Sequence, residues 1–289
     1  MTPQDLAFFH KEGYLKIHGS IPSGLLLRLQ QLFDEFINED HYPHKITQFI
    51  AGKKYVTSLI KLLNKGNLAC LELLGCPSVL NIAKDICGPD FFLIQDFGVI
   101  KMLGDHSPEL WHQDVLNQRT GNCITMGIYL DDANPGDGAL RVVPGSHNNG
   151  RNICDLLHEP SIEIPMKAGE ILVHDMMLAH CSDLMTFNQL RRVLYFEFLS
   201  ETQVKNENMY NSEVLENRFH ILQIAIEYYR AQHPREEKFE WDKMHAAENK
   251  DPVARKKQLD LLYDLEINAK TYAYCFESFE NPLLADQVP

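Results

Sequence analysis

Apolar residues recur every three or four positions near both ends of the chain and every second position in its middle. At the start, Thr2 is placed to cap a short helix whose first residue is Pro3, and Leu6, Phe9 and His10 share one side of it. Gly13 ends that helix, and Tyr14-Leu15-Lys16-Ile17 reads as a short strand. Ile21-Pro22-Ser23 opens a second helix, with Leu25, Leu29, Leu32 and Phe36 at helical spacing. Residues 40–56 are rich in His, Lys and aromatics without any period and read as a loop or lid. A further helix carrying Leu71, Leu74, Val79, Ile82 and Ile86 runs to the stop Gly88-Pro89-Asp90.

The middle of the chain is built differently. Phe91–Met102, Ile124–Leu130, Leu140–Val143, Ile162–Met166, Glu170–His174 and Arg191–Leu199 are short and rich in β-formers. Turn signals separate them at Asn134-Pro135-Gly136-Asp137-Gly138, Pro144-Gly145-Ser146 and Lys167-Ala168-Gly169. Many short strands at this spacing predict a β-sandwich or barrel. Helical periodicity returns over Val214–Ala231 and Pro252–Ser278. The plan is helices, a β core, then helices. The expectation is a mainly β protein with flanking helices, one domain over residues 1–289, in which residues 205–289 form a C-terminal helical extension.

Composition narrows the function. The 289 residues carry a formal net charge of −13, which disfavours nucleic-acid binding, since that needs Lys and Arg to displace counterions from phosphates. The same charge disfavours a polybasic membrane anchor. No apolar run reaches the roughly 18–20 residues that cross a bilayer, and the N-terminus has no secretion-signal pattern. The seven cysteines are scattered, odd in number and free of C-x-x-C, so the expectation is buried free thiols in a reducing cytoplasm.

Candidate chemistry centres on Trp111-His112-Gln113-Asp114. On an extended backbone residues i and i+2 face the same way, so the His112 imidazole and the Asp114 carboxylate converge. H-x-D by itself carries no weight: with 13 His and 19 Asp, about one match arises by chance. The downstream order adds weight. His180 follows Asp114 by 66 residues and Arg191 follows His180 by 11. Two imidazoles and one carboxylate hold a divalent iron while leaving coordination positions open, and a guanidinium is a natural partner for a dicarboxylate. Ser182 is placed to add a hydroxyl to the same carboxylate. Of the two adjacent arginines, Arg191 falls on a mixed face suited to a polar pocket. Arg192 falls with Leu194, Phe196 and Phe198 on a face suited to packing against helices.

The block Leu130-Asp131-Asp132-Ala133-Asn134-Pro135-Gly136-Asp137-Gly138-Ala139-Leu140-Arg141-Val142-Val143-Pro144-Gly145-Ser146-His147, set between His112-Gln113-Asp114 and Gly169-Glu170-Ile171-Leu172-Val173 … His180 … Asn188 … Arg191-Arg192, resembles the phytanoyl-CoA dioxygenase (PhyH) family. The likeness covers roughly residues 5–200 and includes the opening Phe9 … Gly13-Tyr14. It implies a double-stranded β-helix (jelly-roll, cupin-like) core, Fe(II), the cosubstrate 2-oxoglutarate and O2. Carried over by position, His112, Asp114 and His180 bind iron, Arg191 anchors the distal carboxylate of 2-oxoglutarate, and Ser182 supports it. Phe97 and Lys61 lie near places where members use further cofactor-binding groups, though no motif pins them. Asp114 itself favours hydroxylation over halogenation, because related halogenases replace this carboxylate with a small residue.

The implied activity is hydroxylation of an unactivated C–H bond in a small-molecule metabolite, with release of succinate and CO2. The same site also suits desaturation, epimerisation or cyclisation. Two further readings stay open: a cupin-type metalloenzyme that does not use 2-oxoglutarate, and a non-catalytic jelly-roll binding protein. The C-terminal helices offer either a cover for the pocket mouth or a homodimer interface. Other residues read as structural: His147 as a turn residue, His106 as a solvated loop histidine, and Trp111 as packing at the pocket rim. His174 has the wrong spacing to Arg191 to be the distal ligand.

Overall fold

The structure is a computed structural model, and it describes residues 1–39, 44–63, 68–106, 108–115, 121–208, 210–244 and 273–275. Among these residues the strands form two antiparallel sheets. The larger runs in the order β1 (Tyr14–Ile17), β9 (Ile171–Asp175), β6 (Cys123–Tyr129), β11 (Leu190–Ser200), β4 (Phe91–Met102), β3 (Lys53–Ile60), β2 (Lys45–Ile50). The smaller runs β12 (Ala273–Tyr274), β5 (Glu109–Gln113), β10 (His180–Ser182), β7 (Leu140–Val142), β8 (Ile162–Ile164). Helices α1 (Pro3–Glu12), α2 (Ser23–Asn38), α3 (Leu68–Leu74), α4 (Pro77–Cys87), α6 (Glu201–Glu207) and α7 (Ser212–Gln232) flank the larger sheet. The short α5 (Ile153–Leu156) lies by the smaller one. The fold is the expected mainly β jelly roll.

The period of two along β11 explains the layering. Leu194, Phe196 and Phe198 point to the helices and join a core with Leu25, Leu29 and Phe33 of α2, Val79 and Ile82 of α4, and Ile221 and Leu222 of α7. Val193 and Tyr195 point the other way, into a second core between the sheets with Tyr129, Leu140, Val142 and Ile164. Arg191 shares that inner face. Arg192 faces α2 and forms a two-pronged bond with Asp131 (both contacts 2.8 Å) and another with Asp34 (2.7 Å).

Local chemistry accounts for the ends of α1. Thr2 and Asp5 form a reciprocal capping box: the Asp5 N–H donates to Thr2 Oγ1 (3.1 Å), and the Thr2 N–H donates to Asp5 Oδ2 (2.9 Å). Gly13 ends the helix at φ 83°, and a Cβ there would lie 2.4 Å from the His147 ring. Both the backbone conformation and the close approach require glycine.

Four expectations are corrected. Residues 40–56 are not simply a loop, since β2 and β3 pair as a hairpin through Ala51-Gly52, both at positive φ (48° and 80°), the geometry of a tight hairpin turn. Strand β2 is half-exposed at a sheet edge, so it carries no alternation to read. The helix through Leu71–Ile86 is two helices, broken at Gly75-Cys76-Pro77. Pro77 begins α4, and a Cβ on Gly75 would lie 2.1 Å from the Ala225 carbonyl of α7. Five cysteines are buried thiols outside any disulfide, but Cys154 and Cys275 form a disulfide across 121 residues. Most of the helix expected over 252–278 lies outside the described residues, and within that range Ala273–Tyr274 is a strand.

Candidate metal centre

His112 is the penultimate residue of β5 and His180 begins β10, and the two are direct partners across these strands. Their rings lie 4.1 Å apart. In each ring Nδ1 meets a carbonyl two residues earlier, Leu110 O at 2.7 Å and Leu178 O at 2.8 Å. A carbonyl only accepts, so Nδ1 carries the proton and Nε2 presents a lone pair. Both Nε2 atoms turn toward Asp114 Oδ1, at 3.5 Å from His112 and 3.7 Å from His180. The three side chains are buried, and one donor atom from each lies within 4.8 Å of the others.

Asp114 follows β5, and its N–H donates to Met176 O (2.8 Å). Its second oxygen is held from the facing sheet. Thr125 Oγ1 donates to Oδ2 at 2.6 Å, and His174 Nε2 lies 3.3 Å from the same oxygen. Thr125 and His174 are themselves register partners on β6 and β9. Burial pushes the Asp114 carboxyl up, but the His180 charge and the bonds from His112 and His174 outweigh it and hold the group well below its usual range. Burial, reinforced by the neighbouring His112, drives His180 well below its ordinary value. Burial would lower His112 too, but the bond and the charge of Asp114 carry it above its ordinary value. A carboxylate between two imidazoles is the donor set a divalent transition metal takes once both Nε2 atoms are unprotonated.

The centre opens into a cavity of about 650 Å³ between the sheets, lined also by Phe97, Tyr195, Ser182, Arg191, Lys61 and Tyr274. Arg191 is 1% exposed. Its guanidinium sits 5.4 Å over the Tyr129 ring, with Nη2 3.5 Å from the Tyr129 hydroxyl. Among the described residues Arg191 Nε has no hydrogen-bond partner, and no carboxylate pairs with the guanidinium. Burial would depress this cation, but Tyr195 and Tyr129 keep it above its ordinary value. A buried cation lacking an anion fits a carboxylate ligand.

Phe97 stacks on Tyr195 at 5.0 Å. Lys61 lines the cavity from the end of β3 with φ 54°. His147 lies away from the cavity and contacts His10 O at 3.2 Å. His106 is exposed on its loop. Trp111 packs against the cluster containing Ile153, Leu156 and Cys275.

The turn block between the ligands acts through the backbone. Asp137 is wholly buried, and its carboxylate accepts the N–H groups of Thr186 (2.8 Å) and Phe187 (3.1 Å) and the Gln189 amide. These bonds fix the loop that leads into Arg191. Ser146 Oγ accepts the Ala179 N–H at 2.8 Å, immediately before His180. Four neighbours were missed as site residues: Thr125, His174, Lys101 and Tyr274. Lys101 pairs with Arg191 across β4 and β11 and donates to Ser182 O (2.8 Å) and Asp183 O (2.9 Å). Burial and the Arg191 charge bring it down to about 7. A lone lysine inside an apolar strand was the available signal; Tyr274 had none.

The family model for phytanoyl-CoA dioxygenase (PhyH) matches residues 9–193. The chain belongs to the phytanoyl-CoA dioxygenase family. Solved structures share the fold of this family member. EvdMO1 aligns with a TM-score of 0.62 at 24% identity, over 68% of this chain and 50% of that one, so the chain spans half of EvdMO1. EctD from S. alaskensis, solved with 2-oxoglutarate and 5-hydroxyectoine, gives 0.61 at 17% over 70% and 77%. The epimerase SnoN, solved with Fe3+, alpha ketoglutarate and nogalamycin RO, gives 0.57 at 17% over 69% and 83%. No curated protein gives a significant sequence match. No described helix is long and apolar enough to cross a membrane.

Proposed function

We propose that this protein is an Fe(II)- and 2-oxoglutarate-dependent dioxygenase that hydroxylates an unactivated C–H bond of a small-molecule metabolite. The observation that carries the reading is the convergence of His112 Nε2, Asp114 Oδ1 and His180 Nε2 at the head of a cavity holding the buried, carboxylate-free Arg191. In this reading His112, Asp114 and His180 hold iron, Arg191 with Ser182 receives the distal carboxylate of 2-oxoglutarate, and Phe97 and Lys61 line the remaining space. Bound together, iron, 2-oxoglutarate and O2 supply the oxidising power, releasing succinate and CO2.

The chain contributes position and exclusion. The Nδ1–H bonds fix both imidazole tautomers, so neither ring must rearrange to bind metal. Thr125 and His174 hold Asp114 Oδ2 and leave Oδ1 facing the imidazoles. The stacked pair Phe97 and Tyr195 gives the cavity an apolar wall that keeps water from the reacting carbon. The volume suits a metabolite. Because Arg218 of α7 lines the same cavity, we read the described chain as one domain.

Anaerobic addition of Fe(II) and 2-oxoglutarate, followed by O2 and a panel of metabolites, tests this. Succinate should form with the wild type, vanish with His112→Ala, and need far more 2-oxoglutarate with Arg191→Met. Undiminished turnover in Arg191→Met points instead to a metalloenzyme independent of 2-oxoglutarate. Product mass separates hydroxylation from the epimerisation named for SnoN.

A further inference from the structure

One wall of the cavity comes from outside the 9–193 family match. Ala273 and Tyr274 add an edge strand to β5, pairing with Gln113 and His112. The Tyr274 ring stacks on the His112 ring at 5.1 Å with 20° between the planes, and its hydroxyl donates to Glu109 Oε1 at 3.2 Å. The Cys275 N–H donates to Trp111 O at 2.9 Å. Two paired residues make a weak strand. Among the described residues, the covalent tie on this one is the disulfide from Cys275, which is fully buried, to Cys154 of α5, which is partly exposed.

We propose that the Cys154–Cys275 cross-link is a thiol–disulfide control on this site, and that Tyr274 is the positioning residue through which it acts. Oxidised, the cross-link seats Tyr274 against His112 and completes the cavity wall. Reduced, it releases β12, and the His112 ring loses its stacking partner. The reductant is a dithiol. One of its thiolates attacks Sγ of the accessible Cys154, the S–S bond breaks, and Cys275 leaves as a thiolate that takes up a proton. The second thiol of the reagent then displaces Cys154. Both cysteines end as thiols and the reagent as a disulfide, two electrons and two protons having passed to the protein. The inference rests on the reading of His112 as a metal ligand.

The test uses the full chain. Intact mass establishes the cross-link. Hydrogen exchange over residues 109–113 and Co(II) titration are then compared before and after dithiothreitol, which is removed before metal is added. Reduction should speed exchange over 109–113 at least tenfold, leave β11 protected, and weaken Co(II) binding several-fold. The variant Cys154→Ser/Cys275→Ser should match the reduced protein and ignore dithiothreitol. Tyr274→Ala, still cross-linked, should lose Co(II) affinity while 109–113 stay protected, and Tyr274→Phe should restore it. An oxidised wild type lacking the cross-link, or exchange and affinity indifferent to reduction, overturns the proposal. If oxidised wild type binds no Co(II) at all, the metal-centre reading fails, while the exchange data still judge the cross-link.

Discussion

Thr125→Val isolates one hydrogen bond at the metal centre without changing side-chain shape. Thr125 Oγ1 lies 2.6 Å from Asp114 Oδ2, and both residues are 5% exposed or less. A hydrogen bond to a buried charge contributes about 1.5–3 kcal/mol, which corresponds to roughly 10–150-fold in a binding constant. Outer partners of metal ligands commonly change affinity by about 10–100-fold. The expectation is therefore a loss near thirtyfold, about 2 kcal/mol, in Co(II) or Fe(II) affinity measured anaerobically. His174 touches the same oxygen at a longer 3.3 Å, so His174→Phe should cost less. The double variant should lose more than the sum of the two, because in each single variant the remaining donor still holds the same oxygen. Thermal unfolding of the metal-free proteins separates this from misfolding. If folded Thr125→Val binds metal as tightly as the wild type, Asp114 is not held by Thr125 for metal binding and the reasoning is wrong.

The adjacent arginines should separate cleanly. Arg192→Met strands Asp131 and should cost about 2–3 kcal/mol in urea unfolding with the 2-oxoglutarate KM unchanged, whereas Arg191→Met should raise that KM. Gly75→Ala drives a Cβ into the Ala225 carbonyl and should destabilise by about 1–3 kcal/mol; an unchanged Tm would refute the α3–α7 contact. Asp96 is buried, and its carboxyl is pushed up to about 6 by that burial, against an ordinary 3.8. The native state then binds the extra proton between these values, so stability falls as pH rises from about 4 to 6, by about 3 kcal/mol in all. Asp96→Asn keeps an acceptor for the Leu63 N–H and should remove that slope; a wild-type-minus-variant difference independent of pH would show otherwise.

Much of the architecture could be read because its cause is local. Phe91–Met102 was expected with the same limits that β4 shows, since a stretch rich in β-branched and aromatic residues follows the stop Gly88-Pro89-Asp90. The α1 cap needed just Thr2, Pro3 and Asp5. The hairpin β2–β3 escaped because an exposed edge strand has no buried face to pattern, and the α3–α4 break because its cause sits on α7.

The residue types of the centre and their spacing are properties of the chain alone: H-x-D on extended backbone, a later histidine, and Arg191 on the inner parity of β11. That parity follows from the period of two, which the backbone imposes whatever the partners. Tertiary structure alone decided that Thr125 and His174 would grip Asp114 from the opposite sheet, that Lys101 would lie beside Arg191, and that Tyr274 would reach His112 with Cys275 tied to Cys154. All but Thr125 and Asp114, which are 11 residues apart, are separated by 60 residues or more. A one-dimensional pattern records which way a side chain points from its own strand, but not which distant strand will be folded against it.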